Sequence, residues 1–82
     1  MKTYKIYLTD SLEELKNEVL LAKGCSLKEL IKQAYSELEA RGIKTEAYSR
    51  YLGMPDGLAI DFGSWSKFLF IMNATMDEVF KA

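Results

Sequence analysis

Side chains suited to nucleophilic or metal chemistry are scarce in this chain. Cys25 is the only cysteine among the 82 residues, and the sequence contains no histidine. A cysteine nucleophile needs a neighbouring base, and the usual zinc and transition-metal sites need several Cys or His ligands. Cys25 is therefore interpreted as a buried or partly buried small hydrophobic residue. No catalytic residue, metal site or cofactor is predicted.

Two short motifs match catalytic signatures only in their letters. Ser64 and Lys67 have the S-x-x-K spacing of serine acyl-transfer enzymes, which use it on a helix, whereas here the pair spans a predicted turn. Asp61-Phe62-Gly63 spells the metal-binding triplet of protein kinases, but 82 residues leave no room for two lobes and a glycine-rich loop. The sequence thus predicts a protein that is not an enzyme.

Charge and hydrophobicity indicate a small globular domain. Eleven basic and twelve acidic residues give a net charge of −1 without a basic cluster, which argues against a duplex binder that neutralises phosphates. Hydrophobic residues make up 49% of the chain, and there is one proline, so we expect a folded chain. We predict a single domain over residues 1–82. Without an apolar leader or membrane span, it is expected to be soluble and cytoplasmic.

The first half of the chain predicts one strand and two helices. Residues 3–8 alternate, with Tyr4, Ile6 and Leu8 on one face, as in a half-buried strand. Capping-box spacing at Asp10 and apolar residues at helical intervals predict a helix that runs to Lys23.

A second capping box begins the longer helix. Ser26-Leu27-Lys28-Glu29 marks its start, and Gly42 suits a left-handed end with Ile43 folded back on Leu38. The apolar stripe nearly stays in phase through Gly24, which leaves one kinked helix as an alternative.

The second half predicts three strands that are placed by their turns. Met54-Pro55-Asp56-Gly57 and residues 63–66 carry turn-forming types, with Gly57 at a position open to positive φ. Residues 67–72 are apolar on both faces, as in a central, covered strand, and Thr75 begins a short helix. The predicted fold is α+β, a two-layer β-α-α-β-β-β-α domain whose antiparallel sheet has its helices packed on one face.

A group of aromatic and charged residues around these strands predicts a protein-binding surface. Trp65 stands at a turn, where it serves either as a lid on the core or as a binding anchor. The accompanying residues are Tyr48, Arg50, Tyr51 and Asp61. Leu69 and Ile71 extend the surface if the second face of strand 67–72 is uncovered. Aromatic residues and arginine are enriched at interfaces, which makes this group the candidate partner-binding site.

The same half of the chain resembles small accessory proteins of bacteriophages and mobile elements of Firmicutes. The resemblance lies in Arg50-Tyr51-Leu52, in the acidic-aromatic-Gly-Ser turn of residues 60–66 and in Phe68-Leu69-Phe70-Ile71. It implies a non-catalytic protein-binding module, including an anti-CRISPR-type inhibitor of a host defence system. The implied partner is a host or defence protein, and a homodimer stays open.

Residues 3–38 also resemble a ribbon-helix-helix DNA-binding domain. The match is the alternating strand, a helix after Thr9-Asp10 and the Ser26–Ala34 segment in the place of the family's second helix. In that family, strands from two chains pair and enter the major groove. The resemblance implies that Thr3, Lys5 and Tyr7 read bases and that Ser26 holds a phosphate at a helix N-terminus. A dimeric DNA-binding transcriptional regulator is therefore the alternative function.

Overall fold

The protein has five strands and two helices in the part of the chain that the structure describes. The computed structural model describes residues 2–45, 49–64 and 66–81. The elements in chain order are β1 (Tyr4–Thr9), β2 (Val19–Gly24), α1 (Leu27–Ala40), β3 (Arg50–Met54), β4 (Gly57–Asp61), β5 (Phe68–Met72) and α2 (Met76–Lys81). The strands form one sheet of order β2-β1-β5-β4-β3, and every neighbouring pair is antiparallel. The predicted α+β class and antiparallel sheet are confirmed.

One face of the sheet carries the core, and we call it the helix face. Register places Ile6 beside Ile71 and Leu58, and Leu8 beside Leu69 and Ile60. These six residues are at most 6% exposed. The buried residues of α1 belong to the same cluster, and Val79 of α2 packs against it. They are Leu27, Leu30, Ala34 and Leu38. Both helices therefore lie on this face, as predicted.

The opposite side, which we call the open face, carries the alternate residues of the same strands. Tyr7, Phe70 and Ala59 lie side by side on it. Phe70 is only 9% exposed and Ala59 2%, although neither helix packs there. The connection between β1 and β2, residues 10–18, lies over this face, since Leu12 and Leu15 line a cavity together with Phe70 and Met72. An irregular loop thus takes the role of a second helical layer.

The predicted helix from Asp10 to Lys23 is wrong, because this segment forms that loop and then β2. The Asp10 carboxylate pairs with Lys67 and accepts a hydrogen bond from Asn17 Nδ2 at 2.9 Å instead of capping a helix. Asn17 has a φ of 51°, which ends any helical run. Residues 19–22 are a short apolar run, and such a run forms a strand as readily as a helix when a strand edge is available. The edge of β1 provides it. The element order is therefore β-β-α-β-β-β-α.

The buried hydroxyl of Thr9 organises the β1–β2 loop. Thr9 is 2% exposed, and its Oγ1 accepts a hydrogen bond from the Lys16 amide at 2.9 Å. The same hydroxyl lies 3.3 Å from the carbonyl oxygen of Glu14, and the Asp10 amide donates to the carbonyl of Lys16 at 3.0 Å. These bonds close the loop at its base and hold its middle over the open face.

The ends of α1 follow the sequence signals closely. Ser26 is the N-cap residue, although its side chain makes no capping hydrogen bond. At the other end, Gly42 has a φ of 74°, its amide donates to Glu39, and the Ile43 amide donates to Leu38 at 2.9 Å. These two bonds constitute a Schellman motif. The predicted fold-back of Ile43 is confirmed, and one kinked helix through Gly24 is excluded because Gly24 ends β2.

The predicted β3–β4 turn is confirmed, but glycine is needed at position 57 for a different reason than the one predicted. Pro55 and Asp56 connect the Met54–Gly57 pair, as the sequence predicts. Gly57 does not adopt positive φ. A Cβ at Gly57 would lie 2.2 Å from the carbonyl oxygen of Ile71, so glycine is required by the close approach of β5.

The C-terminal helix begins with a capping box and is attached to the first strand. The Thr75 amide donates to Glu78 Oε1 at 3.1 Å, and the Glu78 amide donates to Thr75 Oγ1 at 3.3 Å. Glu78 also accepts hydrogen bonds from the Tyr4 hydroxyl and from Lys2 Nζ. These bonds, led by that from Tyr4, lower the pKa of Glu78 to about 2. One carboxylate therefore links the start of the chain to α2.

The structural premise of the ribbon-helix-helix resemblance is not met. Both edges of β1 are already hydrogen-bonded, to β2 and to β5, so the strand cannot pair with the same strand of a second chain. A loop and a strand stand where that family has its first helix.

Candidate protein-binding surface

The outer edge of β3 is the starting point for a candidate site. β3 is last in the strand order, and within the described residues only β4 pairs with it. Four of its five residues are exposed. An edge strand presents backbone N–H and C=O groups that a second extended chain can use.

The hairpin fixes which backbone groups point outward. Its two-residue turn makes Met54 and Gly57 the pair next to the turn, and in such hairpins that pair exchanges hydrogen bonds. Residues alternate from there, so Leu52 and Arg50 also direct their backbone groups toward β4. Tyr51 and Gly53 direct theirs to the outside. A partner strand would therefore bond to these two residues.

On the open face, the edge carries an ion pair and an exposed leucine. Arg50 Nη2 lies 2.9 Å from Asp61 Oδ2, and the two residues are direct partners in the β3–β4 register. The Arg50 guanidinium and, less strongly, the Gly63 amide hold the pKa of the Asp61 carboxyl below its ordinary value. The Arg50 side chain is 72% exposed. Leu52 lies on the same side of β3 and is 46% exposed. Arginine and an apolar side chain are thus presented together.

On the helix face, the same edge carries an aromatic pair. The rings of Tyr51 and Phe80 meet edge to face, with centroids 5.1 Å apart. Phe80 is 62% exposed. Burial, and secondarily Tyr35, raises the pKa of Tyr51. The pair leaves apolar ring area in solvent beside the backbone groups of β3. Exposed apolar side chains therefore flank the edge on both sides.

The structure divides the predicted partner-binding group. Arg50 and Asp61 are brought together, whereas Tyr51 lies on the other side of the strand. Tyr48 and Trp65 fall outside the described residues. The predicted extension by Leu69 and Ile71 is wrong, because both side chains are buried on the helix face, at 1% and 0% exposure.

Sequence reasoning missed Leu52 and Phe80 as members of this surface. The sequence signal for Leu52 was its position next to Tyr51 in an alternating strand, which puts the two side chains on opposite faces. Phe80 carried no comparable signal. Phe80 stays 62% exposed although its ring contacts Tyr51 of the edge strand.

The residues of the DNA-binding alternative are not brought together. Lys5 and Tyr7 lie on the open face, whereas Ser26 starts the helix that packs on the opposite face. Thr3 is exposed and precedes β1. DNA contact by these four residues stays a prediction without a common surface.

The described residues provide neither a metal site nor a membrane-spanning helix. No group of three or more described His, Cys, Asp or Glu side chains is arranged to hold a metal ion. The predicted burial of Cys25 is wrong, because this residue is exposed. None of the described helices has the length and apolar character needed to cross a membrane.

Comparison of the chain with protein-family models, with curated proteins and with solved structures finds no match.

Proposed function

We propose that this protein is a non-enzymatic protein-binding module that receives an extended segment of its partner along the outer edge of β3. The observation that supports this most directly is the outward backbone of Tyr51 and Gly53 between exposed Leu52 and the exposed Tyr51–Phe80 pair. Strand addition combines main-chain hydrogen bonds for affinity with side-chain contacts on alternate faces for specificity. Arg50 adds a charged group beside Leu52, a combination common at interfaces.

The resemblance to accessory proteins of phages and mobile elements extends the proposal to the partner. It assigns a host or defence-system protein as the target and inhibition of that target as the outcome, of which anti-CRISPR activity is one form. In this scheme the module acts by occupying a strand edge or groove of the target and not by chemistry.

Leu52→Lys tests the proposed edge. A lysine on an edge strand opposes strand addition, and Leu52 is exposed enough for the change to leave the fold intact. Proteins captured from a Firmicutes host lysate by the wild type should be retained at least about tenfold less by this variant. Glu29→Gln on the exposed side of α1 is the matched control and should capture as the wild type does.

A pair of glycine variants separates backbone pairing from side-chain contact. Gly53→Ala adds a Cβ that meets nothing within 4 Å, so binding should be kept. Gly53→Pro removes an outward N–H and should abolish capture. Equal capture by wild type, Leu52→Lys and Gly53→Pro, all shown to be folded by circular dichroism, would rule out the β3 edge. For the inhibitor function, the readout is phage plating on a host with an active defence system, which wild-type protein should restore and Leu52→Lys should not.

A further inference from the structure

The open face contains a cavity of about 380 Å³, and Met54 at the end of β3 is one of the residues that line it. It lies where the β1–β2 loop faces the β3–β4 turn across the sheet. Leu12 and Leu15 contribute the loop side, and Met54, Phe70 and Met72 contribute the sheet side. A volume of this size accommodates one large side chain or a small ligand. The interior of the cavity is thus mainly apolar.

The rim of this cavity carries charge of only one sign. Glu13 and Glu14 stand on the loop, Asp56 stands in the turn, and all three residues are exposed. Among the residues that the structure describes, no lysine or arginine lines the cavity. Lys5 lies on the neighbouring strand opposite Met72 but outside the lining. An apolar interior with a triply acidic rim favours a guest that is apolar at its centre and cationic at its sides.

The cavity is held open by bonds at the base of its loop side. The Asp10–Lys67 ion pair and the hydrogen bonds of Thr9 fix both ends of the loop that carries Leu12 and Leu15. A pocket whose walls are held in this way requires little ordering when a guest binds, which favours measurable affinity for a short segment.

We propose that this cavity binds an apolar side chain of a protein segment that has lysine or arginine on either side of it. The apolar side chain fills the space between Leu12, Leu15 and Phe70. Its cationic neighbours pair with Glu13, Glu14 and Asp56 at the rim. The site stands on its own observations and does not require strand addition at β3.

Methionine methyl groups provide a direct readout of this site. Met54 and Met72 line the cavity, whereas Met76 lies on α2, on the other side of the sheet. Protein labelled with ¹³C at methionine methyls is titrated with acetyl-Lys-Phe-Leu-Lys-amide to about millimolar concentration, the affinity range of small unoptimised ligands. The Met54 and Met72 resonances should shift with saturation, and that of Met76 should not move.

Two comparisons decide the proposal. The peptide acetyl-Glu-Phe-Leu-Glu-amide should bind at least about fivefold more weakly than the lysine peptide. Added salt should reduce this difference in affinity, because it screens the charges. The triple variant Glu13→Gln, Glu14→Gln, Asp56→Asn should lose the preference for the basic peptide, whereas Glu29→Gln, Glu39→Gln on α1 should keep it. Equal shifts with both peptides, equal movement of Met76, or no shift of Met54 and Met72 would each overturn the proposal.

Discussion

The two faces of the sheet are covered by different means. On the helix face, α1 and α2 close over aliphatic side chains that are almost completely buried. On the open face, an irregular loop that is hydrogen-bonded to Thr9 lies over Phe70 but leaves Leu52 exposed and a cavity beneath Leu12 and Leu15. The comparison indicates that stability is concentrated on one face, which leaves the other able to carry recognition.

The largest expected effect on stability comes from comparing the two faces at neighbouring residues of β5. Ile71 is completely buried on the helix face, whereas Met72 is half-buried on the open face. Ile71→Ala should reduce the free energy of unfolding by about 3 kcal/mol, because it leaves a cavity in a packed core. Met72→Ala should cost about 1 kcal/mol, since its surroundings already admit solvent. Urea denaturation followed by circular dichroism measures both.

An 82-residue domain has little stability to lose, so Ile71→Ala can fail to fold. Ile71→Val then replaces it, with an expected loss of about 1 kcal/mol. A cost for Met72→Ala equal to that for Ile71→Ala would mean that the open face is a second core.

A medium effect is expected at the hydroxyl that holds the loop. Thr9→Ala leaves the Lys16 amide without its partner and should cost about 1–2 kcal/mol of unfolding free energy. Amide hydrogen exchange should accelerate at Lys16 well before it does in β5. Thr9→Ser keeps the hydroxyl and should restore most of the protection. If exchange at Lys16 is the same in all three proteins, Thr9 does not hold the loop.

The smallest effect concerns the helix-face carboxylate at α2. The pKa of Glu78 is about 2 in the folded protein and 4.5 in its ordinary state, so the folded state favours the ionised form. Its stabilising contribution is complete above about pH 4.5 and is lost as the pH falls toward 2. The melting temperature of Glu78→Gln should therefore lie below that of the wild type at pH 7 and approach it at pH 2. Tyr4→Phe removes the main cause of the shift and should reduce the acid dependence. If the melting temperatures of wild type and Glu78→Gln differ by the same amount at pH 7 and at pH 2, the ionised Glu78 is not the source of the stabilisation.

Most of the fold was predictable because its signals are local. The Schellman end at Gly42, the Pro55–Asp56 turn and the capping box at Thr75 each depend on a few adjacent residues. The central position of β5 followed from its apolar residues on both sides. These features need no knowledge of distant parts of the chain.

β2 was not predictable by the same means. The spacing of Leu12, Leu15 and Val19 suits a helix face, and only pairing with β1 decides that residues 19–24 are extended. Because residues 10–23 were predicted to be a helix, the loop that lies over the open face was not predicted either. For the candidate surface, the sequence grouped Arg50 with Asp61 as partner-binding residues; the structure brings the two side chains into contact, and their role in binding stays a prediction. The contact of Tyr51 with Phe80 could not be predicted, because it depends on the position of α2.

The place of β1 in the middle of the sheet has a consequence for how the chain folds. The β1–β2 hairpin and the β3–β4–β5 meander each form from neighbouring segments, but among the described strands they are joined only by the pairing of β1 with β5, across more than half of the chain. Closing so long a loop costs conformational entropy, and this cost slows the formation of the β1–β5 contacts. The hairpin and the meander are therefore expected to form before β1 pairs with β5. Under force or denaturant, the β1–β5 pairing should break first.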